Sequence, residues 1–521
     1  MSTQFSSEKM EFELSTLTSF APAKARDKAP FRIAILADFS GRDNRGLSEV
    51  SLSLASSRLI PVDVDNFEKL LTKLGTEIHI PIGGEDGPRI AVRFCELDDF
   101  HPDRIFDRLE VFQKLRAARK RLQDPATFAE AASQVRSWVA GGPDSGESRA
   151  AEVRRGGSRT ARTSESQESD SDTIERLLGQ RPSASAKQFV DLETLIREAV
   201  KPYIVPAPHP QQAELVAQVD QAISGQMRAL LHHPDFKGLE AAWRTLHFLV
   251  NQVETDENLK LYVGDISKAE LAADLASADR LQSTGTYRFL VEQSIGMQGA
   301  EPWTLLVGCY EFDKTKEDVN LLRGLAKVAQ AAGAPFLAGA GSHFAGCESI
   351  ALTPDPDDWR WQTDPMASQL WQELRKSPEA ASIGLLIPRL LLRLPYGKDT
   401  EPIDRFDFEE LSSGINHEQY LWGNPAIVCA CLLAAAFRTS GWSLTGELQQ
   451  ELTGLPMHVY KSNGETHVTP CAEAFLTERA MEILIGKGLV PLLSIKGRDA
   501  VRVARFQSIA EPSAPLAGRW Q

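Results

Sequence analysis

The chain has 521 residues, of which 42 % are hydrophobic and 25 % charged, and a formal net charge of −14. That length implies roughly two to four folding units, and the composition excludes collagen, a disulfide scaffold and global disorder. The acidic balance argues against nucleic acid and anionic membranes as partners, because both select basic surfaces.

Cysteines at 95, 309, 347, 429, 431 and 471 show no framework spacing. The start, MSTQFSSEKM, lacks a basic region followed by an apolar core. Both point to a reduced, cytoplasmic location.

Phe12 and Leu14 alternate with Glu11 and Glu13, the period of a half-buried strand ahead of the main domain. The run FRIAILADFSG (31–41) reads as a buried strand entering a turn, and Ile60–Val64 as a short strand before a helix starting at Asp65-Asn66-Phe67. Glu77–Ile82 and Ile90–Cys95 flank a turn rich in glycine and acids, which predicts a hairpin. Ile105, Leu109, Phe112 and Leu115 share one face of an amphipathic helix expected over Pro102–Leu122. Residues 141–172 mix Gly, Ser, Arg and acids without an aromatic side chain, so they cannot bury enough apolar surface to offset the entropy of ordering.

Beyond that stretch, Ile174, Leu177 and Leu178 place an apolar stripe on a short helix behind the cap candidates Asp172 and Thr173. Leu215, Val219, Ile223, Met227 and Leu230 keep helical spacing up to His232-His233-Pro234, and Leu239, Trp243, Leu246 and Val250 define the next helix. Trp303–Tyr310, Leu321–Ala332 and Ala334–Ala338 then alternate strand, helix, strand, with Gly333 closing the helix, which implies a partly parallel sheet. PAIVCACLLAAAF (425–437) is too short to cross a bilayer and reads as a buried core helix. The expected fold is mixed α/β: two units with mixed sheets flanked by helices. They occupy residues 1–138 and 173–521, the latter with a short helix at 173–179 and a core from about 211 to 512, and a linker over 139–172 joins them.

No phosphate-cradling G-x-x-x-x-G-K-[ST] occurs. Asp38 follows a buried strand, as in aspartate-based phosphotransfer sites, but Ser40 stands where a second acid belongs, so a turn role is expected. Ser342 sits in GAGSHF, where Ala340 and Phe344 replace the glycines of a nucleophile elbow. A hydrolase using Asp38 or Ser342 is therefore a distant alternative. Cys429 and Cys431 are expected in the core, His232 and His233 at a helix boundary, and Trp243, Trp422 and Trp442 as core or interface anchors. No catalytic, metal or cofactor residues are expected.

From His232 to Pro512 the chain strongly resembles the large sheath subunit of type VI secretion systems. The stretches that carry the resemblance are HHPDFKGLEAAWRTLHFLV (232–250), NLKLYVGDISKAEL (258–271), VGCYEF (307–312), APFLA (334–338), IGLLIPRLLLRLPYG (383–397), FDFEE (406–410), YLWGNPA (420–426) and GLPMHVY (454–460). FRIAILADFSG (31–41), IPVDVDNFEKLL (60–71), VRFCELDDFHPDRI (92–105) and LRAARKRL (115–122) resemble the small sheath subunit in the same order.

The resemblance implies a structural protein and no enzyme: a subunit of a contractile, phage-tail-like sleeve. Expected partners are other sheath subunits, an inner tube protein, baseplate proteins and a disassembly AAA+ ATPase. It makes Phe12 and Leu14 candidates for a strand donated between protomers. It likewise makes Ile174, Leu177 and Leu178 the face recognised by the ATPase. The resemblance ends near SIAEPSAPLAGRWQ, where large subunits of the family continue into a C-terminal domain. A non-polymerising protein that caps, seeds or docks a sheath at the baseplate is the alternative.

Overall fold

The computed structural model describes residues 29–47, 58–82, 87–140, 196, 212–277, 280–295, 301–411, 416–444, 451–462 and 464–520. Phe12, Leu14, Ile174, Leu177 and Leu178 lie outside these residues.

The first strand, β1 (Phe31–Ala37), is followed by β2 (Ile60–Val62), helix α1 (Phe67–Leu74) and the hairpin β3 (Glu77–Pro81) and β4 (Arg89–Arg93). Helices α2 (Pro102–Arg108), α3 (Glu110–Gln123) and α4 (Phe128–Ala140) complete the N-terminal half. The single helix expected over 102–122 is thus two. Leu109 leaves helical geometry (φ −79°, ψ 127°), and Gln113 Nε2 donates to the freed Asp107 carbonyl at 2.7 Å. Neither glycine nor proline marks the break, so the apolar period runs through it unchanged.

The C-terminal half opens with α5 (Gln212–Leu231) and α6 (Pro234–Gln252). Proline at the first position of α6 and His233 as its cap, accepting from the Asp235 N–H, explain the boundary between them. Next come β5 (Leu259–Asp265), α7 (Lys268–Ser277), β6 (Leu305–Phe312), α8 (Lys316–Ala332) and β7 (Phe336–Ala340). Gly333 closes α8 at φ +62°, as its position predicts. The remaining elements are α9 (Pro365–Arg375), β8 (Ile383–Ile387), β9 (Leu390–Leu391), β10 (Trp422–Gly423), α10 (Ala426–Ser440), β11 (Glu451–Thr453), β12 (His458–Ser462), β13 (Glu465–Thr469), α11 (Glu478–Gly486), β14 (Leu489–Ser494) and β15 (Ala500–Val503).

One nine-stranded mixed sheet, ordered β11-β15-β14-β8-β7-β6-β1-β5-β2, runs through both halves. Six neighbouring strands are parallel; at the two ends β2 pairs antiparallel with β5, β15 with β14, and β11 with β15. Central strands with helices on both faces need apolar residues at nearly every position, which is why IAILA (33–37) and IGLLI (383–387) are continuous runs rather than alternating ones. Phe31, Ile33 and Ile35 face the layer holding α5, α6 and α10, while Ala34 and Leu36 face the layer holding α8 and α11. α10 is buried from Ala426 to Ala434, with Cys429 and Cys431 in the core, and emerges at Ala435. None of the described helices is long and apolar enough to cross a membrane.

Candidate functional site: the seam between the halves and the C-terminal edge of the sheet

β1 belongs to the N-terminal half, yet it lies between β5 and β6 of the C-terminal half. It pairs in parallel with β5 from Phe31↔Leu259 to Ala37↔Asp265 and with β6 from Ile33↔Leu305 to Leu36↔Gly308. At its exit, Asp265 accepts from the backbone N–H groups of Phe39 (2.8 Å) and Ser40 (3.0 Å) and pairs with Arg42 at 3.1 Å. Arg42 also reaches Glu270 at 3.3 Å.

Asp38 accepts from the N–H groups of Arg42 and Asp43, both at 2.9 Å. Burial raises its pKa, against the pull of those two bonds. It is a turn acceptor. The turn also requires Gly41 at φ +72°, where an added Cβ would lie 2.5 Å from the Glu77 carbonyl oxygen.

The seam continues through side chains. Trp243 on α6 is fully buried, donates from Nε1 to the Phe39 carbonyl at 2.9 Å, and meets the rings of Phe39 and Phe67 edge-on at 5.1 and 5.7 Å. Asp103 accepts from the N–H groups of Asp404 and Arg405 at 3.0 Å, and Phe106 stacks on Phe406 at 4.6 Å. Arg119 pairs with Asp220, joining α3 to α5. Trp442 Nε1 donates to the Ala29 carbonyl at 2.9 Å, its ring against Phe31 and Phe437. Trp243 and Trp442 therefore anchor the joint.

Four charges between α6 and the segments at 393 and 410 form a neutral, largely buried quartet. Arg393 bridges Glu240 (2.9 Å) and Glu410 (2.8 Å), and Arg244 also pairs with Glu240 (2.7 Å). The Glu410 carboxylate further accepts from the Tyr396 N–H at 2.8 Å, and His232 Nε2 lies 3.6 Å away. Burial opposes ionisation of Glu410, but Arg393, His232 and the Tyr396 N–H together hold its pKa down at about 2. Burial pushes the Tyr396 hydroxyl up to about 12, against the pull of Arg393 and Arg244.

These residues come from three of the stretches that carry the sequence resemblance: 232–250, 383–397 and 406–410. Sequence reasoning singled out only His232 of these, and as a helix-boundary residue. The available signal was Arg389 and Arg393 inside an otherwise apolar run, where each guanidinium must find a partner.

At the C-terminal edge of the parallel strands, where open α/β sheets bind ligands, Ser342 opens a short helical turn. Its Oγ accepts from the Ile350 N–H at 3.3 Å. The adjacent His343 ring is bonded to Asp313 and stacks on Trp361 at 4.1 Å, and no hydrogen bond joins it to Ser342. Ser342 does not have a positive φ, so the strained elbow of a serine nucleophile is not built here.

Glu473 is the one non-glycine residue with positive φ (+22°) among the described residues, and it receives Arg389 Nε at 3.1 Å and His417 Nε2 at 2.8 Å. Arg389 also reaches Glu418 at 3.1 Å. Burial works against the Glu473 carboxylate, yet His417 and Arg389 lower its pKa to about 2. His417, Glu418 and Glu473 lie close enough to share an ion, but the guanidinium of Arg389 is bonded to both carboxylates, so these residues do not fit a metal.

Residues 213–510 match the profile of the EvpB tail sheath N-terminal domain, and residues 11–140 match the type VI secretion system VipA family. The type VI secretion system sheath protein TssC1 of Pseudomonas aeruginosa is 36 % identical over 307 residues, covering 57 % of this chain and 61 % of the relative. The sheath protein TssB1 of the same organism is 25 % identical over 112 residues, 21 % of this chain and 63 % of the relative. The chain thus spans about three fifths of the length of the curated relatives it matches. It belongs to the type VI secretion tail sheath family and carries a small-subunit-like part fused to a large-subunit-like part in one polypeptide.

Proposed function

We propose that this chain is a structural building block of a cytoplasmic, contractile type VI sheath that encloses an inner tube and expels it by contraction, and that it is not an enzyme. The observation that carries the reading is the insertion of β1 between β5 and β6: the parts related to two separate sheath proteins form a single sheet here. Fusion fixes their ratio at one to one and replaces a bimolecular association with an intramolecular one. Energy for such a machine is stored in many subunit interfaces with two packings, and the reading requires no catalytic residue.

Two sheet edges support polymer formation. Among the described residues β2 pairs only with β5 and β11 only with β15, leaving one side of each three-residue strand open to strand addition. In this reading the units are residues 1–138 and 173–521, joined by a linker over 139–172. Phe12 and Leu14 lie on the strand that a neighbour receives, and Ile174, Leu177 and Leu178 form the face gripped by a disassembly ATPase. Inner tube and baseplate proteins complete the partner set.

Ultracentrifugation of the full chain tests this. Polymers that pellet, and that disappear when residues 1–28 are deleted, support strand donation. A deletion that leaves pelleting unchanged removes Phe12 and Leu14 from the account. A chain that never pellets, even beside other sheath subunits, argues for the cap or baseplate-docking role.

A further inference from the structure

Between α6 and the face of β6 lies a slot of about 200 Å³ that no part of the seam fills. Gly238, Ala241, Ala242 and Thr245 form its helical wall, and Cys309, Glu311 and Gly339 its strand wall. The small residues create the space: a Cβ built on Gly238 has nothing within 4 Å. The volume is below the roughly 300 Å³ at which small-molecule and cofactor pockets begin, and suits one long side chain.

Two groups of the lining are open to a partner, one buried and one at the mouth. Thr245 is 1 % exposed and its Oγ makes no hydrogen bond, although a hydroxyl within a helix ordinarily bonds the carbonyl one turn back. The Glu311 carboxylate, exposed at the mouth of the slot, makes no hydrogen bond or ion pair among the described residues. The protein around it displaces part of its hydration and raises its pKa, and the field of Arg389 only partly offsets that.

Charge selects the occupant. The slot shares Glu311, Ala340 and Arg389 with a second recess that also holds Asp313, Glu348, Glu418 and Glu473. Those five carboxylates face four basic groups already engaged: Arg389 with Glu473 and Glu418, His417 with Glu473, His343 with Asp313, and Lys237 with the Glu418 carbonyl.

We propose that this slot is a socket for one basic side chain, lysine or arginine, of a partner polypeptide. Its hydrocarbon stem lies along Ala241 and Trp422, and its N–H donors are shared between the Glu311 carboxylate and the Thr245 hydroxyl. An ammonium or guanidinium supplies several donors at once, which an unpaired carboxylate and an orphaned hydroxyl both require.

The inference rests on the reading of the chain as an assembly protein and names a chemistry for one of its contacts. The test uses the full chain and saturation-transfer NMR with capped tripeptides Gly-X-Gly, where X is arginine, lysine, citrulline, norleucine or glutamate. Arginine and lysine peptides are expected to receive saturation. Glu311→Gln, which keeps the shape, and Gly238→Leu, which fills the opening, are expected to weaken this about tenfold or more.

Equal binding of citrulline or norleucine, binding by glutamate instead, or an unchanged signal in both variants overturns the proposal. Thermal unfolding of each variant, compared with the parent, shows whether a lost signal reflects the slot or a lost fold. A chain that forms tubes yet ignores the cationic peptides overturns the socket alone. One that binds them and never polymerises overturns the sheath reading alone.

Discussion

Trp243 Nε1 and the carbonyl of Phe39 are 2.9 Å apart, a buried hydrogen bond between a helix of the large-subunit-like half and the strand exit of the small-subunit-like half. Thr76 Oγ donates to the same carbonyl at 3.2 Å. Trp243→Phe therefore removes one of two donors and is expected to cost about 1 kcal/mol, whereas Trp243→Ala also leaves a cavity among Phe39 and Phe67 and is expected to cost about 3–5 kcal/mol. Urea unfolding followed by circular dichroism measures both. Equal costs for the two variants would show that the ring packing is not what holds the seam.

Because β1 has partners only in the other half, the halves are expected to depend on each other. Residues 1–140 and 173–521, co-expressed as two chains, are predicted to co-purify. The larger piece expressed alone is predicted to aggregate, since losing β1 exposes the facing edges of β5 and β6. A soluble, monodisperse 173–521 fragment would contradict this.

The quartet around Arg393 sets a pH dependence. Glu410 has a folded pKa of about 2 against an ordinary 4.5, so its contribution is fully present above pH 4.5 and is lost as pH falls from there through about 2. Glu410→Gln leaves Arg393 and Arg244 opposite Glu240 alone, and is expected to lower stability at pH 7 by about 3–5 kcal/mol. The variant is also expected to flatten the fall in stability between pH 5 and pH 2. Parallel stability curves for parent and variant over that range would refute the assignment.

Asp38→Asn keeps one acceptor for the N–H groups of Arg42 and Asp43 and is expected to cost about 1 kcal/mol or less. Ser342→Ala, which loses only the 3.3 Å bond from Ile350, is expected to cost little more. Neither substitution is expected to change assembly in a pelleting assay. A hydrolytic activity of the purified chain that disappears with either variant would revive the hydrolase alternative.

Much of the fold is legible in local pattern. FRIAILADFSG reads as a buried strand ending in a turn because every position from Ile33 to Ala37 is apolar before Asp38, and His233-Pro234 reads as a boundary because proline cannot continue α5. The partners of β1 are not legible, since β5 and β6 begin more than 200 residues downstream and strand order is decided by packing on both faces rather than by spacing.

The break at Leu109 is hidden for a different reason: a side-chain bond from Gln113 stands in for the lost helical one. Charges such as Glu240, Arg393 and Glu410 resemble solvated residues in isolation, and only the apolar run around Arg389 and Arg393 hints that they are buried. The assembly candidates Phe12, Leu14, Ile174, Leu177 and Leu178 rest on sequence alone, because they lie outside the described residues.

Negative-stain electron microscopy of the purified full chain, alone and co-expressed with neighbouring secretion-system sheath genes, tests the central claim most directly. The account predicts long tubes of cogwheel cross-section built from this chain. Monomers, or small particles found only at the ends of tubes made by other subunits, would contradict it.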